Sequence, residues 1–397
     1  MNRQLFEKLR PIIGVFIIAT IISYYAGLNL GLEELGFKVL FPGLFIFSIV
    51  LDKASSFRKQ EIIWFLLFLI LALIAVFYPD IDFVRFSFAF NKIIVAFMGA
   101  YIGISLCNTK FNLEDYFHIA YILSLAIIIY FEYSSGNFNP VTFYAPTASR
   151  GDFGYNANYY SYMSLFANFS IFRLHLKYKK TWSLIGLFFV PLLGLAISFT
   201  TQSRSGLIFI LLINVLFWFW AYKPKITNPI HLILRKTILI TITLTLAFQF
   251  YSVYNNSNIE NRMSSTSKGE ERGHLIETGF EVFMNFPFSG VGAGNIQKYA
   301  DGFFTHNTYL EALSEHGLFV GLIIILVYVL PFFKSFKLYK SNTANPNYKL
   351  SLLFFSIFLL FNNIYVFYKA SFAMMYFFLM IGNYYNLLNY KNSENAL

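Results

Sequence analysis

The chain has a single cysteine in 397 residues and little charge, with Asp, Glu, Lys and Arg making up 13% of it. A lone Cys107 excludes a disulfide framework and a thiolate metal site. Soluble domains carry roughly 25% charged residues, so the water-facing charge is about half the usual amount. The charge that remains leans basic, at a formal +10. That excess does not point to nucleic acid, because the lysines and arginines collect in short segments between apolar runs, as on cytoplasmic loops. No small-residue cleavage site follows the basic N-terminus (Arg3, Lys8, Arg10), so the first apolar run reads as a retained helix rather than a cleaved signal. Internal repeats and low-complexity tracts are absent.

What is present is apolar: 57% of residues are hydrophobic and 21% aromatic, including 50 Phe. Runs of ~18 or more apolar residues recur along the whole length, the mark of membrane-spanning helices. They predict about twelve spans, at roughly 11–29, 38–51, 62–79, 88–107, 116–132, 156–175, 182–200, 204–222, 232–252, 317–333, 350–367 and 370–389. The expectation is one integral membrane domain over residues 1–397, all-α and polytopic, with no soluble domain large enough to fold alone. With both termini cytoplasmic, most lysines and arginines fall on inner segments, and the long polar loop at 253–316 lies outside.

That loop has two parts. Asn255 to Gly273 is mostly polar. From His274 to Phe283, the apolar residues Leu275, Ile276, Phe280 and Phe283 recur at helical spacing and predict a short amphipathic helix on the membrane surface. Pro287 ends it, and Gly290, Gly292 and Gly294 predict a flexible turn. Thr308-x-x-Glu311 has the capping-box pattern, which sets His306 and Asn307 just before the helix leading into the tenth span.

Candidate chemistry gathers at this outer face. Arg204, in Thr201-Gln202-Ser203-Arg204-Ser205-Gly206, opens the eighth span. It is either an arginine snorkelling to the interface or an anion anchor, since a guanidinium grips phosphate in fork geometry and stays charged in a low-dielectric setting. Arg272 is expected at the start of the loop helix, where free N–H groups and the positive dipole end would add to a pyrophosphate site; the bland alternative is a solvated charge. Arg262 competes for that role. His306, with an ordinary pKa near 6.5, is a candidate general base or else a structural interface residue. His175 and His231 read as cytoplasmic-interface residues, while His118, His274 and His316 have no evident partner in sequence. Gly290-Val291-Gly292-Ala293-Gly294 lacks the spacing and the preceding strand of a dinucleotide loop. Asp80-Ile81-Asp82 has the D-x-D form of metal-dependent glycosyltransferases, but turn chemistry accounts for two aspartates in a short loop.

Taken together, these pieces resemble the O-antigen ligase/polymerase family of bacterial envelope polysaccharide assembly. The resemblance rests on Gln202-Ser203-Arg204-Ser205-Gly206 and on Arg272, with Pro287 leading to Gly290-Val291-Gly292-Ala293-Gly294-Asn295. It rests also on His306-Asn307-x-Tyr309-Leu310 followed by Glu315 and Gly317-Leu318. It covers roughly residues 185–330, and Arg150 with Gly151-Asp152-Phe153-Gly154-Tyr155-Asn156 resembles a looser family feature. The ligase form of the histidine motif, His-Asn, nine residues, then Gly, fits His306, Asn307 and Gly317. Its last position is usually Gly, Thr or Tyr and here is Val320, which leaves ligase and polymerase both open.

The resemblance implies a GT-C-like, metal-independent transferase without cofactor in the bacterial inner membrane, its active site on the periplasmic face. The donor would be a glycan on undecaprenyl pyrophosphate. The acceptor would be lipid A–core for a ligase or another lipid-linked repeat for a polymerase, the latter with a chain-length regulator as a possible partner. Arg204 and Arg272 would hold the leaving pyrophosphate, and His306 would activate the acceptor hydroxyl or help to position the phosphates. Arg262, Asn307, Tyr309, Glu315, Ser203 and Arg150 would contact substrate. Two other readings compete: a lipid-linked oligosaccharide flippase, which requires charges deep in several spans around a central cavity, and a metal-dependent transferase using Asp80 and Asp82.

Overall fold

The computed structural model describes residues 3–108, 113–137, 157–201, 203–222 and 267–394, with the isolated positions 233 and 237. The described residues are helical, with no strand among them. In chain order the main helices are α1 (Arg3–Tyr25), α2 (Glu33–Asp52), α3 (Gln60–Phe77), α4 (Phe83–Asn108), α5 (Glu114–Ser134), α6 (Ala157–Tyr178), α7 (Thr181–Thr200) and α8 (Arg204–Ala221). After the gap come α9 (Ser267–Asn285), α10 (Thr308–Ser341), α11 (Pro346–Phe361) and α12 (Ser371–Glu394). Helices thus stand at eleven of the twelve expected spans; the other, 232–252, lies but for residues 233 and 237 outside the described residues.

Length and composition alone qualify eight of these helices to cross a membrane: α1 to α5, α7, α8 and α10. Of the others, α6 and α12 are long but carry more polar residues, and α11 has 16 residues. The difference has a physical cause. α6 and α12 are walled in by protein, with Phe166, Phe169, Tyr376 and Phe378 fully buried. They need no continuous apolar surface and can hold Asn168, Ser170 and Asn383 inside. The outer helices show the reverse: Ile12, Val15, Ile46, Val50, Ile70 and Phe77 are exposed, as a lipid-facing surface requires.

The most extensive helix pair is α4 with α12. A Cβ on Gly103 would stand 2.0 Å from the Met375 carbonyl oxygen, so only glycine lets these two backbones meet. Close approach through small residues is the usual means of packing helices where lipid offers no hydrophobic drive.

Side-chain contacts sort the helix ends into two sets. At one end Glu61 of α3 meets Lys334 of α10 at 2.6 Å and Tyr385 of α12 at 2.8 Å. At the same end Arg173 of α6 donates to Asn347 at 2.8 Å, and Lys177 pairs with Asp115 at 2.8 Å. At the other end Tyr24 of α1 bonds Ser371 at the start of α12, and the Thr308 N–H at the start of α10 donates to Asn362 O just past α11, at 2.8 Å. The candidate residues lie at this second end. His118 and His175, in the helices, have hydroxyl partners in Ser170 and Ser183, each 3.1 Å away, and serve packing.

Candidate active site

The second end is built by the chain from α9 to the start of α10. α9 begins at Ser267, seven residues before the expected His274, so Arg272 sits within the helix and not at its N-terminus. The first-turn N–H groups therefore belong to residues ahead of Arg272, and the dipole-end argument for it fails. One face of α9 carries buried Leu275, Thr278 and Val282; Phe283 is half-buried, and Ile276, Phe280 and Met284 stay exposed at i, i+4, i+8 spacing. The buried face lies on the first turns of α10, where the Ser314 hydroxyl donates to Gly279 O at 2.7 Å.

The glycine stretch is a fixed wedge rather than the flexible turn its composition suggested. Val291 N–H donates to Ser314 O at 3.0 Å and Gly292 N–H to Glu315 O at 2.7 Å. Gly290 has φ 64°, and a Cβ there would lie 2.4 Å from the Glu315 carbonyl carbon. The wedge breaks α10 at Gly317 (φ 70°, ψ 177°), and Leu318 N–H is taken by Pro287 O at 2.7 Å. Carbonyls orphaned by the break are thus satisfied by the loop. Beyond the wedge, Asn295 Oδ1 accepts from Asp82 N–H at 2.8 Å, and Asp82 Oδ1 accepts from the N–H groups of Val84 and Arg85 at the start of α4. Asp82 is a helix-start acceptor, and Asp80 offers its carbonyl to Lys298 at 2.7 Å.

His306 stands in the left-handed region at φ 55°, between two fixed neighbours. On one side, Thr305 donates its N–H and its hydroxyl to Glu311 Oε2, both at 3.0 Å. On the other, the Asn307 side chain accepts from the N–H groups of Tyr309 and Leu310, both at 3.0 Å. Asn307 is therefore the N-cap. The capping box expected at Thr308 does not form: the Thr308 hydroxyl donates to Tyr365 O at 2.6 Å, and Glu311 reaches back to Thr305. Asparagine suits that position because its side-chain oxygen reaches the free N–H groups of the first turn.

Beneath His306 lies a charge cluster that sequence reading missed. Lys369 Nζ is 2.6 Å from Glu311 Oε1 and 2.6 Å from Glu315 Oε2. Tyr368 donates to Glu315 Oε2 at 2.8 Å, and Gly294 N–H donates to Glu315 Oε1 at 2.8 Å. Burial works to depress the Lys369 pKa, but the two carboxylates outweigh it and hold the ammonium above its ordinary range. Glu315, expected to contact substrate, is fully buried and engaged by these three groups. Lys369 lies 58 residues from Glu311 in the chain, so no local pattern ties them.

Of the other expected residues, Arg272 is the one joined to His306. Burial pushes the His306 pKa below its ordinary value, the Arg272 guanidinium pushes it the same way, and Glu311 opposes both. Tyr309 donates its hydroxyl to Leu359 O at 2.9 Å. Arg204 opens α8 half-buried at the same end: five residues on, Phe209 meets Phe361 edge-on, beside Asn362 and hence the start of α10. Ser203, just before it, is buried and accepts a hydrogen bond from Ser161. Arg262 and Arg150 lie outside the described residues.

Two cavities flank His306-Asn307. The larger, about 690 Å³, is lined by His306, Lys369, Lys92, Asn91, Ser371 and a set of aromatic and apolar side chains. The smaller, about 540 Å³, is lined by Asn307, Tyr309, Asn363 and, from α9, Gly273, Ile276 and Glu277. An imidazole whose pKa is lowered by burial and by a guanidinium, in the wall of a cavity at one end of a membrane bundle, can take a proton next to an anion.

No curated protein matches the chain significantly. Residues 188–326 match the model of the O-antigen ligase family, a span that holds Arg204, Arg272, the glycine wedge and the His306-Asn307 motif. Over this segment the chain is similar to the O-antigen ligase family.

Proposed function

We propose that this chain is a membrane glycosyltransferase that moves a glycan from undecaprenyl pyrophosphate to an acceptor hydroxyl at the periplasmic face. The observation that carries the reading is His306 at the wall of the 690 Å³ cavity, its pKa lowered by burial and by the Arg272 guanidinium. In the reaction, the acceptor oxygen attacks the anomeric carbon and gives its proton to the His306 imidazole. The bond from that carbon to the pyrophosphate oxygen breaks, and its electron pair leaves with the pyrophosphate. Arg272 and Arg204 stabilise the charge that develops there. Pyrophosphate is already a good leaving group, so fixed cations and orientation suffice without metal. Asn307 and Tyr309 face the smaller cavity and contact substrate from there. The nine residues between Asn307 and Gly317 favour lipid A–core as acceptor; Val320, where the ligase motif has Gly, Thr or Tyr, keeps a lipid-linked repeat as the alternative.

Transport is the second reading with an observation behind it, since Lys92 of α4 faces the larger cavity from within a span. Against it, Glu315 is sealed by Lys369, Tyr368 and Gly294 and offers nothing to a passing substrate.

The deciding experiment is a purified transfer assay with an undecaprenyl-pyrophosphate glycan in EDTA, offering lipid A–core and a lipid-linked repeat separately, wild type beside His306→Ala. Product on lipid A–core, lost in the variant, is the expected result. Elongated lipid-linked product makes the chain a polymerase. No product from either acceptor with a competent donor returns the argument to transport.

A further inference from the structure

Lys92 is unexplained by the site described above. It lies about 13 Å along α4 from Phe83, by the rise of a helix, inside a segment long and apolar enough to cross a membrane. Ionisable side chains there are costly and mark substrate or ion paths unless they are paired. Among the described residues Lys92 has no carboxylate within ion-pair distance. Its ammonium rests on the Phe88 ring, 4.2 Å from the centroid, and 5.9 Å from that of Phe304. Lys369, 5.4 Å from the same Phe304 ring, is already committed to Glu311 and Glu315. Lys92 is therefore the cation of the 690 Å³ cavity with donors to spare.

The remaining wall, apart from His306, Asn91 and Ser371, is aromatic or aliphatic and reaches the outside of the bundle. Phe37 and Phe88, 46% and 63% exposed, both line the cavity, from the start of α2 and from α4. Tyr24 of α1 stacks on Phe37, and Val95 and Phe372 complete an oily floor. A cavity with one open cation inside and exposed aromatic rings at its edge fits an amphiphile: an anion on a hydrocarbon chain. A soluble anion would have no use for the aromatic edge.

We propose that this cavity binds the phosphate of a membrane lipid, with Lys92 meeting the anion and the Phe37–Phe88 gap passing the hydrocarbon tail. The inference deepens the transferase reading and rests on it for the identity of the lipid. Lys92 then adds a third cation to Arg204 and Arg272.

The test measures binding of undecaprenyl phosphate and of inorganic pyrophosphate to the purified full chain, for wild type, Lys92→Met and Lys92→Arg, with thermal midpoint as a folding control. Lys92→Met removes a charge from a span and is expected to keep the fold. It should weaken undecaprenyl phosphate at least tenfold, about the loss of one charge-assisted contact, with Lys92→Arg close to wild type. Inorganic pyrophosphate should bind far more weakly than the lipid. Equal affinity of wild type and Lys92→Met overturns the proposal, as does inorganic pyrophosphate binding as tightly as the lipid. If Lys92→Met lowers the midpoint and leaves affinity alone, Lys92 is a counter-charge to Glu311 and the proposal falls. Lys92-dependent lipid binding without transfer overturns the transferase reading and leaves this one standing; transfer with Lys92-independent binding does the reverse.

Discussion

Replacing Lys369 by Met tests whether the buried cluster fixes the reactive loop. The Lys369 side chain is 6% exposed and both carboxylates are fully buried, with N–O distances of 2.6 Å to each. At an effective dielectric of about 20, each pair attracts by about 6 kcal/mol before desolvation is counted. Desolvation cancels much of that, so the net worth of the intact cluster is small. Removing one partner differs, because the carboxylates stay buried without their cation, at a cost of about 3–5 kcal/mol. For a chain of this size the thermal midpoint should fall by about 4–6 °C. Glu311 also holds the Thr305 N–H and hydroxyl, so the loop carrying His306 should loosen and transfer should fall more than the stability loss explains. Adding Glu311→Gln removes one stranded charge and should restore part of the midpoint while leaving transfer low. Midpoints are read in detergent at one scan rate, beside an exposed control such as Lys340→Met. A drop for Lys369→Met no larger than the control's would refute the reasoning, since it would mean that water reaches the cluster freely.

Two further outcomes follow from the geometry. Burial and Arg272 both lower the His306 pKa, so the base is neutral above that lowered value and lost to protonation below it. Transfer should therefore fall with acid through an inflection below about 6.5, and Arg272→Ala should move the inflection upward, read from residual rate or from titration of His306. An inflection that stays put in the variant removes Arg272 from the histidine's surroundings. Gly290→Ala should destabilise by about 3 kcal/mol or more, because the new Cβ meets backbone at 2.4 Å at a positive φ. Gly302→Ala, also at positive φ but with nothing within 4 Å, should cost about 1 kcal/mol. Equal unfolding midpoints for the two would show that the wedge can give way.

What the sequence made legible was whatever depends on neighbours in the chain. Apolar runs located eleven helices because lipid imposes a length and a composition. Where protein replaces lipid the rule weakens, as α6 and α12 show. The start of α9 was missed because Ser267 to Gly273 is polar and the expected helix was drawn from apolar spacing alone. Lys369 was missed for a plainer reason: it is an isolated lysine between two spans, and its partners arrive through the fold. Lys92 does carry a signal in the sequence, a lysine inside the predicted span 88–107.

The interval of nine residues in the histidine motif acquires a physical meaning from the same contacts. Asn307 starts a helix by capping it, and Gly317 stops that helix at a positive φ against the glycine wedge. The nine residues between them make about two and a half turns. Glu311 and Glu315, four apart, share a face of this short helix and meet the same lysine. Glu311 also returns to Thr305, next to His306. One residue more or less would rotate the cap by about 100° against the wedge. The lysine could then no longer meet both carboxylates while Thr305 kept its acceptor. The spacing is the length of a rigid spacer that sets the height and direction of the imidazole over a fixed charge cluster.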